Sequence, residues 1–244
     1  MEDKAYRLLG AQLNMSGKRA KELIDRGLVY VGDKKLKIAR AIMPADTIFR
    51  VEMPSKIVKI YEDDNILVVN KPAFLDVYDV EATFSDAALI HRLDRETSGV
   101  LLLAKNEEFL KKAIEAFRNR RVKKFYSAWV EGVIYEEMVI DLPIHTIKGP
   151  KSISKVNERI GKDAVTIVKP NEVQGKKSKI DIEIKTGRTH QIRLHLSHIG
   201  HPVVGDEQYG SPTKSKRILL HASKIELFGQ EYIAPEPHDI VRYK

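Results

Sequence analysis

Apolar and polar positions divide the chain near residue 53. In the first stretch Ala20, Leu23 and Ile24 fall on one face of a helix, with Ser16 placed to cap it and Gly27 to stop it. Lys18, Arg19, Lys21 and Arg26 then lie largely on the solvent side. A short strand at 28–31, a turn at Gly32-Asp33 and a last strand around 48–51 complete a small unit, and Met53-Pro54-Ser55 marks its end. Two domains are expected, 1–53 and 54–244.

The longer stretch mixes two periodicities. IVKIYEDD and NILVVNKP read as a strand pair joined through Asp63-Asp64-Asn65. GVLLLAK is apolar almost throughout, as in the middle of a sheet. From Asn106, Leu110, Ala113, Ile114 and Phe117 recur at helical spacing, and a basic run follows: Arg118, Arg120, Arg121, Lys123 and Lys124. FYSAWVEGVI reads as a strand, with Tyr126 near its start, and KIDIEIK alternates as a half-buried strand does. Thr189 is expected to cap a helix through Leu196 that stops at Gly200, and 143–178, rich in Lys, Gly and Ser, reads as loops or an edge hairpin. Strands and helices without regular alternation give an α+β class.

Composition narrows the chemistry. None of the 244 residues is cysteine, so disulfides, thiolate metal sites and cysteine nucleophiles are excluded, and a reducing cytoplasm is the expected location. The opening MEDKAYRLLG lacks the apolar run of a signal peptide, and no stretch approaches the roughly 20 apolar residues that cross a bilayer. The net charge of +8 calls for an acidic partner. Residues 1–53 hold eleven Lys/Arg against seven Asp/Glu, half of that excess in about a fifth of the chain, as in a basic binding module joined to a larger domain.

Two polar clusters are candidates for chemistry. In 91–99, His-Arg-Leu-Asp-Arg-Glu-Thr-Ser-Gly precedes the buried strand, and Asp94 stands between Arg92 and Arg95, which favours an ionised carboxylate. The plainer reading is a turn with Asp, Thr, Ser and Gly in turn roles. In 187–195, Arg188, His190 and Arg193 open a helix suited to phosphate or carboxylate, with Arg193 placed to pair with a buried acid; an ordinary amphipathic helix with a basic face is the alternative. His190, His195, His198 and His201 match no zinc spacing, so no metal is expected. Tyr126, after Lys123-Lys124, is placed to stack on a base or to fill half-buried core. No GxxxxGK[ST], GxGxxG or GxSxG segment occurs, so nucleotide-cofactor and serine-hydrolase chemistry lack support.

Taken together, these segments resemble the RluA-type pseudouridine synthases along nearly the whole chain. HRLDRETSGVLLLAK matches the family segment H-R-L-D-x-x-T-S-G-[LV]-[LV], Asn70-Lys71-Pro72-Ala73 the upstream N-K-P segment, and Lys124-Phe125-Tyr126-Ser127-Ala128 the K-x-Y-x-A segment. TGRTHQIRLH, HPVVGDEQYG, LLHA and the Ala-Pro-Glu-Pro tail match later signatures. Residues 1–53 are similar to the RNA-binding domain named after ribosomal protein S-four. The resemblance implies a mixed, mainly antiparallel sheet behind a small α/β RNA-binding domain. It makes Asp94 the catalytic carboxylate, Arg193 its ion-pair partner and Tyr126 the residue against the target base. Phe74 stands where the family usually has Gly, and 75–90 is short and acidic.

The implied reaction is isomerisation of uridine to pseudouridine in structured RNA. The base–ribose bond breaks, the base turns, and it rejoins through carbon five. Asp94 serves either as nucleophile at the anomeric carbon or as base leading to a glycal, and both routes stay open. The target base must be flipped into the pocket. Arg92, Lys18, Arg19, Lys21, Arg26, Arg120, Arg121, Lys123, Lys124, Arg188 and His190 are the expected RNA contacts. The reaction involves no redox change or net hydrolysis, so no cofactor is expected. Ribosomal RNA of the large subunit is the expected substrate, with transfer RNA as the alternative, and a monomer is the default. A non-catalytic RNA-binding protein would bind without turnover, whereas a glycoside or nucleoside hydrolase would need a second carboxylate and would release free uracil.

Overall fold

The structure, a computed structural model, describes residues 2–32, 34–147, 149 and 152–243, so Asp33 of the Gly32-Asp33 turn lies outside the described residues. The chain divides into two compact units, Met1–Ser55 and Lys56–Lys244.

In the smaller unit helices Ala5–Gln12 and Gly17–Asp25 pack together, burying Ala5 and Leu9 with Ala20, Leu23 and Ile24. Ser16 caps the second helix, its hydroxyl accepting from the Arg19 N–H at 3.2 Å. A three-stranded sheet places Val29–Val31 between Lys34–Lys35 and Arg50–Val51, and Glu2–Lys4 pairs with Ile42–Pro44. The Gln12 side chain acts as an extra strand partner for Phe49, donating to its carbonyl at 2.8 Å and accepting from its N–H at 3.0 Å. Lys18 and Arg19 are exposed, but Lys21 and Arg26 are only half so. The Lys21 ammonium lies 4.3 Å from the ring centre of Tyr6, and Arg26 pairs with Glu22 at 2.9 Å.

The larger unit is built on a ten-stranded sheet among the described residues. Its main path runs Met138–Asp141, Val165–Gln174, Lys177–Ile184, Lys123–Glu131, Leu220–Leu227, Ser98–Ala104, Ile66–Lys71, Val58–Glu62. Every strand pair in it is antiparallel except Leu220–Leu227 with Ser98–Ala104. The apolar run of Ser98–Ala104 has a cause on each face. Val100 and Leu102 pack with Ala113 and Ala116 of helix Glu107–Arg118, while Leu101 and Leu103 pack with Val77 and Val80 of helix Val77–Thr83. Asn106 caps the Glu107–Arg118 helix, its side chain accepting from the Phe109 N–H at 2.8 Å.

One expectation holds in part and one needs correction. Of the loops or edge hairpin read in 143–178, a hairpin is present, and part of the stretch belongs to the main sheet. Ile144–Ile147 pairs with Ile153–Val156, and Val165–Gln174 is a ten-residue strand inside the main sheet. Its last six residues are exposed, so its polarity reflects a solvated surface while its backbone stays paired. The helix expected after Thr189 starts at Gln191, and Thr189 is not its cap. His190 occupies the cap position at φ 55° without a side-chain cap bond. The Gln191 side chain instead accepts from the Arg188 N–H at 3.0 Å and the Thr186 hydroxyl at 2.7 Å, which ties the turn before the helix to its first residue.

Gly99 ends the Asp94 loop under a close constraint. It has φ +120° and lies beside Ala222 in the parallel pair, where a Cβ would sit 2.1 Å from the Ala222 carbonyl oxygen. No side chain fits there.

Candidate active site

Asp94 projects from the loop between strands Ala88–Leu89 and Ser98–Ala104. It faces a cavity of about 440 Å³ that Arg92, Thr97, Lys124, Tyr126, Arg188, His190, Arg193 and Leu220 also line. Among the described residues lining it, Asp94 is the one carboxylate. Helix Gln191–His198 supplies Arg193 from its first turn, and strand Lys123–Glu131 supplies Tyr126 and Lys124.

Arg193 is shared between two acids. Its Nη1 donates to Asp94 Oδ2 at 3.3 Å, while Nε and Nη2 grip Asp206 at 2.6 and 3.0 Å, and Nη2 also reaches Gln208 at 3.2 Å. Arg193 is 3% exposed and Asp206 0%. Burial opposes the guanidinium charge, yet the hydrogen bonds and charge of Asp206, then the charges of Asp94 and Glu96, raise its pKa above the ordinary range. The clamp fixes the fork so that one edge is left for Asp94. The arginines on either side of Asp94 in sequence, noted for their charge, make other contacts of their own. Arg95 pairs with Glu96 at 2.8 Å, and Arg92 lies 5.5 Å from the ring centre of Tyr78.

Two residues complete the chemical face. Burial, then the charge of Asp94, pushes the Tyr126 phenol well above its usual range, so it enters as a neutral hydroxyl. His190 Nε2 stands 4.0 Å from Asp94 Oδ2 and its Nδ1 is 2.9 Å from the Tyr209 hydroxyl; burial lowers its pKa. Two other histidines of the group are engaged away from Asp94, His195 with Thr166 and the Leu142 carbonyl and His201 with the Glu131 carbonyl, and His198 is exposed.

Beneath the loop lies machinery that the sequence reading quoted without assigning it roles. Lys71 is fully buried and donates to the carbonyls of Pro72, Leu75 and Arg95 at 3.0, 2.9 and 3.2 Å. Burial pulls its ammonium to about 7, against the opposing charges of Glu96, Asp94 and Asp76. Phe74 adds its N–H to the same Arg95 carbonyl at 2.7 Å. It does so at φ 67°, a left-handed conformation that glycine takes without strain. Phe74→Gly is therefore expected to be about 1 kcal/mol more stable than Phe74→Ala, the reverse of the order in regular structure, as measured by urea unfolding. If alanine proves the more stable, the left-handed turn is wrong.

Behind the loop, Arg217 holds Asp239 at 2.6 and 2.7 Å and donates to the Ser98 hydroxyl at 3.0 Å. The Ser98 hydroxyl lies 2.8 Å from His221 Nδ1, and His221 Nε2 donates to the Ala234 carbonyl at 3.2 Å. Burial lowers the pKa of both His221 and His91 to about 4. His91 Nε2 accepts from the Leu102 N–H at 3.1 Å. Between the ordinary value of 6.5 and about 4 the unfolded chain binds more protons than the folded one, so stability falls as pH falls through that window. We expect a loss of about 2–4 kcal/mol between pH 7 and pH 5, read from urea midpoints. Little change over that range would refute neutral burial of both rings.

Of the expected RNA contacts in this unit, Arg92, Lys124, Arg188 and His190 line the cavity. Arg120, Arg121 and Lys123 do not; they pair with Asp163, Glu115 and Glu226 at 3.4, 3.0 and 2.9 Å.

Beside this geometry of one carboxylate, a clamped arginine and a neutral tyrosine stand the comparisons with known proteins. The family model for RNA pseudouridylate synthase matches residues 65–198. The chain is 50% identical over 242 residues to an uncharacterized RNA pseudouridine synthase of Helicobacter pylori J99, covering 98% of this chain and all of the relative. It is 30% identical over 278 residues to ribosomal large subunit pseudouridine synthase D of Pasteurella multocida, covering 93% and 85% of the two chains. A solved structure, human RNA pseudouridylate synthase domain containing 1, is similar with a TM-score of 0.66 at 29% identity, covering 75% of this chain and 84% of that one. The chain belongs to the RNA pseudouridylate synthase family. It is an isomerase of the type that converts uridine to pseudouridine in RNA.

Proposed function

We propose that this enzyme modifies uridines of large-subunit ribosomal RNA, with Asp94, Tyr126 and Arg193 performing the reaction. The observation that carries the assignment of residues is Arg193 stretched between buried Asp206 and the cavity carboxylate Asp94. That geometry presents a positioned Asp94 to a base flipped into the cavity. Asp94 attacks the anomeric carbon or takes a ribose proton on the way to a glycal. Arg193 orients it, and Tyr126 packs against the base. The substrate class is supported by the names of two relatives, ribosomal large subunit pseudouridine synthases D of Pasteurella multocida and C of Rickettsia bellii. Residues 1–53 would act as an S-four-like module, with Lys18, Arg19, Lys21 and Arg26 meeting phosphates, and Arg92, Arg188 and His190 would meet RNA at the cavity. Exposed Arg120, Arg121 and Lys123 would add a salt-dependent attraction.

Pseudouridine mapping of total RNA from cells lacking the gene, complemented with wild type or Asp94→Ala, tests this. Sites in large-subunit ribosomal RNA should vanish in the deletion and return only with wild type. Sites in transfer RNA instead would move the substrate, and full rescue by Asp94→Ala would remove Asp94 from the chemistry.

A further inference from the structure

Lys124 is a cation without an anion. It is 7% exposed, it lines the same cavity as Asp94 and Tyr126, and among the described residues its ammonium has no hydrogen bond or ion pair. Its neighbour in sequence behaves differently: Lys123 is exposed and paired with Glu226 at 2.9 Å. The one contact shown for the Lys124 ammonium is an aromatic face, the ring of Phe117 with its centre 5.9 Å away. Phe117 is itself stacked on His91 at 5.1 Å, which makes that wall flat and rigid.

The charges around it point the same way. Burial lowers the Lys124 pKa to about 8, Arg120 and Arg188 lower it too, and Glu183 opposes them. Glu183 is already engaged by Lys185. Arg188 is held in place by the Asp163 carbonyl, to which its Nε donates at 3.0 Å, and it lines the cavity as well. A buried ammonium set among cations is costly unless an anion completes it. An RNA strand carries such an anion at every nucleotide.

We propose that Lys124 and Arg188 form a subsite for a phosphodiester of the RNA strand, next to the nucleotide presented to Asp94, and that this contact sets the register of the strand in the cavity. The subsite rests on the reading of the cavity as the uridine site. It differs from the general attraction of the exposed basic residues because it lies inside the cavity and is specific to one phosphate.

The test uses total RNA from cells lacking the gene, which contains every natural substrate, with wild type, Lys124→Met and Lys124→Arg compared by pseudouridine formed. Lys124→Met should raise KM about tenfold, with the smaller effect on kcat, and should reduce the slope of log(kcat/KM) against log[salt] by about one. Lys124→Arg, which keeps the charge, should recover both. Between pH 7 and 9 the wild-type KM should rise as Lys124 loses its proton, whereas the arginine variant should not follow. The other charged or titratable groups facing it are Arg120, Arg188, Glu183 and His91, and the arginine variant separates their titration from that of Lys124. A raised KM with an unchanged salt slope would mean that Lys124 meets a neutral acceptor such as a base carbonyl, and the phosphodiester subsite would be wrong. Unchanged KM and slope would overturn it too, with the uridine reading intact. If wild type forms no pseudouridine in that RNA, the uridine reading fails and the subsite falls with it.

Discussion

Asp94→Ala should lower pseudouridine formation by at least about 10⁴-fold while leaving fold and RNA affinity in place. The size follows from the cavity. It holds one carboxylate among its described lining residues, so no second acid stands ready to take over. The stability side follows from the clamp. Asp94 is 25% exposed and takes one edge of Arg193, whereas the contacts of the guanidinium with Asp206 and Gln208 survive the substitution. The melting temperature should thus shift by only a few degrees, and affinity should hold or rise because a negative charge leaves a cavity meant for a polyanion. Single-turnover assays beside a thermal melt and a filter-binding curve measure all three. A variant that is inactive because it is unfolded, or one that keeps a tenth of the activity, would each refute this account. The lone carboxylate also argues against a two-acid hydrolase, in which a paired acid and base flank the bond.

Asp206→Ala should show the opposite pattern, with stability lost first. Asp206 is completely buried and makes two of the bonds that fix Arg193, and it also accepts from the Tyr209 N–H at 3.3 Å. Removing it leaves a buried guanidinium with Asp94 and Gln208 alone. Breaking a buried pair from one side costs about 3–5 kcal/mol. For a unit of this size that corresponds to a melting temperature lower by on the order of 10 °C. Activity should fall in the surviving folded protein, because Arg193 can then turn away from Asp94. Asp206→Asn keeps an acceptor and the shape, and should be intermediate in both. A melting temperature within 2–3 °C of wild type for Asp206→Ala would show that the clamp is not what holds Arg193.

The parts of the site that lay in contiguous segments were legible in the sequence, and the parts made by distant contacts were not. Asp94, Tyr126 and Arg193 were picked from motif segments, and the pairing of Arg193 with Asp94 was expected through the family resemblance, since no local pattern displays it. Arg92 and Arg95 are adjacent in sequence and engaged elsewhere, whereas Arg193 arrives from a helix nearly a hundred positions away. Asp206 and Lys71 stood inside quoted motifs, yet nothing local says that one is buried beneath an arginine or that the other gathers three carbonyls. Helix Val77–Thr83 went unread in the acidic segment because it buries only Val77 and Val80, too few positions to set a period. Its start does carry a signal: the Asp76 side chain accepts from the Tyr78 N–H at 3.1 Å. Phe74 was noted as a departure from glycine, and its significance lies in a backbone angle that composition does not display.

The parallel pairing of Ser98 and Gly99 with His221 and Ala222 has a consequence for how the enzyme is made. The Ser98–His221 hydrogen bond spans 123 positions, so the strand that carries the Asp94 loop waits for its neighbour until that neighbour leaves the ribosome. At about 5–20 residues per second the delay is roughly 6–25 s. During it the nascent chain exposes an apolar strand edge open to mispairing and to chaperone capture. The loop that carries Asp94 also stays unbraced from that side until the late strand arrives.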